Sequence, residues 1–154
     1  MKDDQRWCTA IHEAAHCIAA HALGATVYGA RIGCRRGHAT IAGLRGIHAT
    51  WLRNNDYRRG DARAAAMVKI QVCLAGPIGQ SIHDGSAHGC EGDRAMIDDL
   101  RRRFDVSDER IRRLERRTER LLLRRWGDVT KLASHLIDAR SLSQAAITAI
   151  LERV

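Results

Sequence analysis

The sequence predicts a mainly α fold, or α+β with a small antiparallel or mixed sheet placed after the first helix. Three observations predict it. Apolar residues recur at helical spacing along most of the chain. There is one proline in 154 residues, and Ala and Arg are abundant. Aromatic residues make up only 4%, so the core is built mainly from Ala, Leu, Ile and Val. The length suits a single domain, residues 1–154, with one substantial core.

The elements follow in order. Asp3 or Asp4 can cap a first helix running to about Leu23, and Gly24 can end it. Ile11, Ala14, Ala15, Ile18 and Ala22 give this helix an apolar stripe. Two short strands are expected at residues 25–32 and 38–44, with a hairpin connection at 33–37 and a loop at 45–60. An apolar helix is expected over residues 61–75, and a second short helix starts at Pro77 and ends at Gly85. After a loop at 86–92, helices are expected over 93–103, from Ser107 or Asp108 to about Trp126, and over 128–138 and 143–153. Residues 1–100 thus hold the first helix and the sheet, and residues 101–154 form a helical C-terminal bundle.

The formal net charge is +8, which favours anionic partners such as nucleic acid, acidic lipid or acidic polypeptide. No stretch is long and apolar enough to span a bilayer, and the first residues, MKDDQRW, lack the apolar core of a signal peptide. Cysteines stand at 8, 17, 34, 73 and 90, an odd number with no CxxC pair. That pattern disfavours a disulfide framework and a four-thiolate zinc site, and fits a cytoplasmic location. Cys8, Cys17 and Cys73 are expected to act as small buried hydrophobes.

HEAAH at 12–16 lies inside the first helix. Positions i and i+4 share one face, so His12 and His16 can reach the same ion. Neutral imidazoles suit Zn2+. Glu13 stands beside the open coordination position, where it can take a proton from water acidified by the metal. The bland alternative is a solvated His-Glu-His face. The small apolar flanks argue against it, because buried imidazole and carboxylate groups need a partner.

A third protein ligand must come from further away. A histidine six residues after His16 is absent, since that position is Ala22, and His21 points off the His12–His16 face. No glutamate occurs between Glu13 and Glu91. The remaining acids are Asp56, Asp61, Asp84, Glu91, Asp93, Asp98 and Asp99. Asp93 is the best candidate, because it follows the glycine-containing loop GCEG and opens a helix. Glu91 is its nearest competitor, and His88 is a further one.

TAIHEAAHCIAAHALGATV at 9–27 resembles the start of the peptidase domain of FtsH-type AAA zinc metalloproteases. KIQVCLAGPIGQSIHDG at 69–85, GCEGD at 89–93 and VTKLASHLIDARSLSQAAITAIL at 129–151 resemble later blocks of that domain, in the same order. The resemblance implies a zincin-like HExxH helix and a zinc-dependent endopeptidase. It implies His12, His16 and Asp93 as ligands, Glu13 as base, and an edge strand within residues 38–44 that pairs with extended substrate. Ala15 stands where the family usually has glycine, and GCEG replaces its small uncharged loop. The family's ATPase and membrane anchor are not in this sequence, and there is no GxxxxGK[ST]. The expected activity is therefore ATP-independent cleavage of flexible polypeptides, by the chain alone, as a homo-oligomer, or with a separate ATPase partner.

Two other readings accompany this one. Residues 101–126 are dense in arginine, which also suits a nucleic-acid-binding module. Ile111, Leu114, Thr118 and Leu121 recur at helical spacing, however, and describe a solvated amphipathic helix. The second reading is a non-catalytic, zinc-bound regulator of peptidase ancestry. The presence of Glu13 argues against it, since a structural site needs no base. Trp7, Trp51 and Trp126 can serve either a core or an interface.

Overall fold

The computed structural model describes residues 3–33, 59–86 and 90–152. Among these are six α-helices and one two-stranded antiparallel sheet, in the order α1 (Asp3–Ala22), β1 (Gly29–Arg31), α2 (Arg59–Asp84), α3 (Glu91–Phe104), α4 (Asp108–Arg124), α5 (Trp126–Ala139), β2 (Ser141–Ser143) and α6 (Gln144–Glu152). The mainly α architecture with a small sheet is the one the sequence predicts.

The core is built around α1. The expected one-sided stripe is an underestimate: every residue from Thr9 to Ala20 is buried, whereas Ala22 is exposed. Small side chains allow this, because Ala10, Ala14, Ala15, Ala19 and Ala20 let neighbours close in from several directions. A helix buried on all sides is a core helix. α1 packs against α2 and α5, and the packing extends to α6 and the sheet. A second apolar cluster joins α2 to α3 and α4 through Ile70, Cys73, Leu100, Ile111 and Leu114. Ile78 of α2 packs against both clusters.

α2 is one helix, not the expected pair separated at Pro77. Proline within a helix removes one hydrogen-bond donor and crowds the preceding turn. Here Gly76 precedes it, so no Cβ meets the proline ring. Packing on both clusters holds the helix together across that point.

The strand β1 is shorter than expected and pairs with β2, with Ala30 opposite Leu142. Residues 141–143 were expected to lie between and at the start of helices. Arg140 takes a left-handed conformation (φ 61°) that ends α5, and the chain then extends for Ser-Leu-Ser with only Leu142 buried. The sheet therefore links the N-terminal half to the C-terminal helices. The expected strand at 38–44, the loop residues 45–58, Trp51 and His88 lie outside the described residues; residues 59 and 60 begin α2.

In the arginine-rich segment, Ser107 caps α4 by accepting a hydrogen bond from the Arg110 amide at 3.1 Å. Ile111, Leu114 and Thr118 are buried as expected. Leu122 is the fourth buried residue, and Leu121 is half-buried beside it. Arg112, Arg113, Arg116, Arg117, Arg120 and Arg124 are exposed. Trp7 and Trp126 pack partly buried against the α1 core. No described helix is long and apolar enough to cross a membrane.

Candidate metal centre

Three helices meet at the HEAAH segment. His12, Glu13 and His16 come from α1, Gly76 from α2 and Asp93 from the first turn of α3. α1 and α2 run in opposite directions: His16 meets Val72, Ala15 meets Gly79 and Cys8 meets Asp84. α3 starts at Glu91, two residues earlier than expected, so Asp93 sits inside its first turn. A carboxylate is favoured there by the exposed amides of the helix start.

The two imidazoles turn their Nε2 atoms toward each other, 3.0 Å apart, with their rings nearly perpendicular. Asp93 Oδ2 lies 3.0 Å from His12 Nε2 and 3.4 Å from His16 Nε2. A tetrahedral zinc with bonds near 2.0–2.1 Å holds its donors about 3.3 Å apart. The nitrogen, nitrogen and oxygen donors therefore fit zinc in both chemistry and spacing. Glu13 Oε1 stands 3.8 Å from His12 Nε2, adjacent to this triangle. His12, Glu13 and His16 are all buried.

His16 Nδ1 is 2.6 Å from the Val72 carbonyl oxygen. The carbonyl can only accept, so the proton sits on Nδ1 and the Nε2 lone pair is left for a metal. His12 Nδ1 is buried, and among the described residues no group meets it with hydrogen-bond geometry. With Nε2 aimed at Asp93 and His16, that ring is oriented by its inner contacts.

Close approach depends on glycine. A Cβ at Gly76 would lie 2.5 Å from His16 Nε2 and 2.6 Å from His12 Nε2. Only a glycine leaves room for both imidazoles there. The expectation of two helices separated at Pro77 gave Gly76 no such role. The available signal was a glycine inside a strongly apolar helical pattern, which calls for a packing reason. Gln80 and Cys90 were also missed. They are buried and bonded, Cys90 Sγ to Gln80 Oε1 at 3.3 Å, which fixes the residue preceding α3.

The electrostatics are those of a strongly coupled buried cluster. Burial is the largest single influence on His12 and His16 and would lower both pKa values, but hydrogen bonding to Asp93 and the charge of Glu13, with further hydrogen bonds, together outweigh it and raise both to about 9. Burial would raise Asp93, yet the two imidazoles hold it well below the usual carboxylate range. Burial pushes Glu13 upward, against the pull of the two histidines. A carboxylate with a raised pKa is a better proton acceptor than an ordinary one.

The other candidates fall elsewhere. Glu91 and Asp98 are exposed on α3, Asp99 pairs with Arg103, and His21 is exposed near the end of α1. Asp84 lies beside Cys8, 2.7 Å from its thiol. Cys8 thus differs from expectation, being half-exposed and hydrogen-bonded, while Cys17 and Cys73 are buried in the two cores. The chain matches no family model and no curated protein.

Proposed function

We propose that this chain is a zinc-dependent metalloendopeptidase that hydrolyses peptide bonds in flexible polypeptides without ATP. The observation that carries the reading is the donor triangle of His12, His16 and Asp93 with buried Glu13 at its edge. The order of blocks resembling the FtsH-type peptidase domain supports it.

His12, His16 and Asp93 would hold the ion, and the Val72 carbonyl would keep His16 in the tautomer that binds. Zinc bound there supplies Lewis acidity toward the scissile carbonyl and the attacking water. Glu13 removes a proton from that water as it attacks the carbonyl carbon, and later delivers a proton to the leaving amine. Its burial keeps the carboxylate basic and away from competing solvent. Substrates are extended or unstructured segments, or proteins opened by a separate partner ATPase. Homo-oligomer formation and a cytoplasmic setting belong to the same proposal.

The test is cleavage of an unstructured protein such as casein by wild type and Glu13→Gln. The reading expects cleavage that a chelator stops and zinc restores, and a loss of about 100- to 10,000-fold in the variant with zinc retained. Equal cleavage by a zinc-loaded Glu13→Gln protein would remove Glu13 from the mechanism.

A further inference from the structure

Cys8, His83 and Asp84 form a second group of metal-binding side chains, separate from the first. Their donor atoms all lie within 4.8 Å of one another. Cys8 stands one four-residue step before His12 on α1, about 6 Å along the helix. His83 and Asp84 close the last turn of α2. Because α2 runs opposite to α1, its end arrives beside the second turn of α1.

The carboxylate in this group is held in place. Gly85 takes a left-handed conformation (φ 76°), which brings the Ser86 amide back to donate to Asp84 Oδ1 at 2.8 Å. That leaves Asp84 Oδ2 facing Cys8 Sγ at 2.7 Å. Outer hydrogen bonds of this kind orient ligands at metal sites. The Trp7 ring packs edge-on to His83, with centroids 6.4 Å apart. The carbonyl end of α2 also favours a cation in its last turn. His83 and Asp84 are exposed and Cys8 is half-exposed, so an ion can reach the group from solvent.

We propose that Cys8, His83 and Asp84 form a second zinc site that ties the start of α1 to the end of α2. One thiolate, one imidazole and one carboxylate suit zinc, and sulfur makes magnesium and calcium poor competitors. Three protein ligands leave one position for water. On binding, the thiol proton of Cys8 passes to solvent and a sulfur–zinc bond forms. The site shares no ligand with His12, His16 and Asp93, and it does not rest on the peptidase reading. Its consequence is mechanical: it braces the two helices that carry the histidines and Gly76.

Cobalt titration of the metal-free full chain separates the two sites. A thiolate-to-cobalt charge-transfer band in the near ultraviolet reports sulfur ligation, and the His12–His16–Asp93 set contains no sulfur. The band is expected in wild type and in Asp93→Ala, is expected to vanish in Cys8→Ser, and should bleach when zinc is added. Asp84→Asn should weaken cobalt binding at this site by at least roughly 10-fold. Circular dichroism of Cys8→Ser, a near-isosteric change at a half-exposed position, confirms that the fold is retained. No band in wild type at saturating cobalt overturns the proposal. So does a band that persists in Cys8→Ser, which assigns ligation to another cysteine, or one lost in Asp93→Ala, which denies a separate site.

Discussion

Ala15 occupies the space that Gly79 leaves open: a Cβ at Gly79 would sit 2.7 Å from the Ala15 Cβ. The α1–α2 crossing beside the histidines therefore admits one methyl group, and here α1 supplies it. Gly79→Ala should destabilise the fold by about 1–3 kcal/mol through overpacking. Ala15→Gly alone should cost roughly 0.5–1 kcal/mol as a helix-interior glycine. Combined, the two changes should be less harmful than their sum, because the double variant again has one methyl. Urea denaturation of the four proteins measures this coupling, and strict additivity would remove the steric explanation.

Gly76→Ala places its methyl against the Nε2 atoms of both His12 and His16. A strain of about 1–3 kcal/mol corresponds to a zinc affinity roughly 5- to 150-fold weaker. Competition with a chromophoric chelator reads this directly. Unchanged affinity would mean that the histidines can move aside without penalty.

Under the proposed function, protonation would compete with zinc for the same nitrogens. In metal-free protein the folded pKa values of His12 and His16 are raised from 6.5 to about 9. Raised values stabilise the fold fully below 6.5, and that contribution is lost as pH climbs through 9. Glu13, also raised, acts in the same direction. Asp93 is lowered, so its contribution is present above its usual 3.8 and lost as pH falls toward its depressed value. Metal-free protein should therefore melt highest at mildly acidic pH and progressively lower toward pH 9. Zinc affinity should rise over the same alkaline window, by about tenfold or more per pH unit, as imidazole protons are released. Thermal melts with a chelator and with zinc test both slopes.

Ser107→Ala provides a fold control remote from the candidate centre. Losing the hydrogen bond from the Arg110 amide should cost about 1 kcal/mol. Zinc stoichiometry should not change. A denaturation curve and metal analysis of the same sample check the two statements together.

The legible part of the candidate centre was the part written locally. His12, Glu13 and His16 fall within five residues of one helix, so periodicity alone places them together. Asp93 was recognisable as one candidate among several, because a loop followed by a helix start marks a favourable place for a carboxylate. The roles of Gly76 and Gly79 depend on how closely α2 approaches α1, which no spacing within α2 reveals. Pro77 carried a misleading local signal: its ring argues for a helix start, and packing on two clusters overrides it. The Ser-Leu-Ser alternation at 141–143 is a strand pattern too short to stand out between two helices. The cluster of Cys8, His83 and Asp84 joins residues 75 or more positions apart and becomes visible only when α1 and α2 lie side by side.

Whether His12, His16 and Asp93 hold a metal is decided by the zinc content of tag-free Cys8→Ser protein, with and without Asp93→Ala. Among the described residues, the Cys8→Ser background leaves the candidate centre as the group to be counted. About one zinc per chain is expected, lost or greatly weakened when Asp93 is removed. Well-folded Cys8→Ser protein that takes up no zinc when it is supplied would contradict it, as would full retention of zinc in the Asp93→Ala double variant.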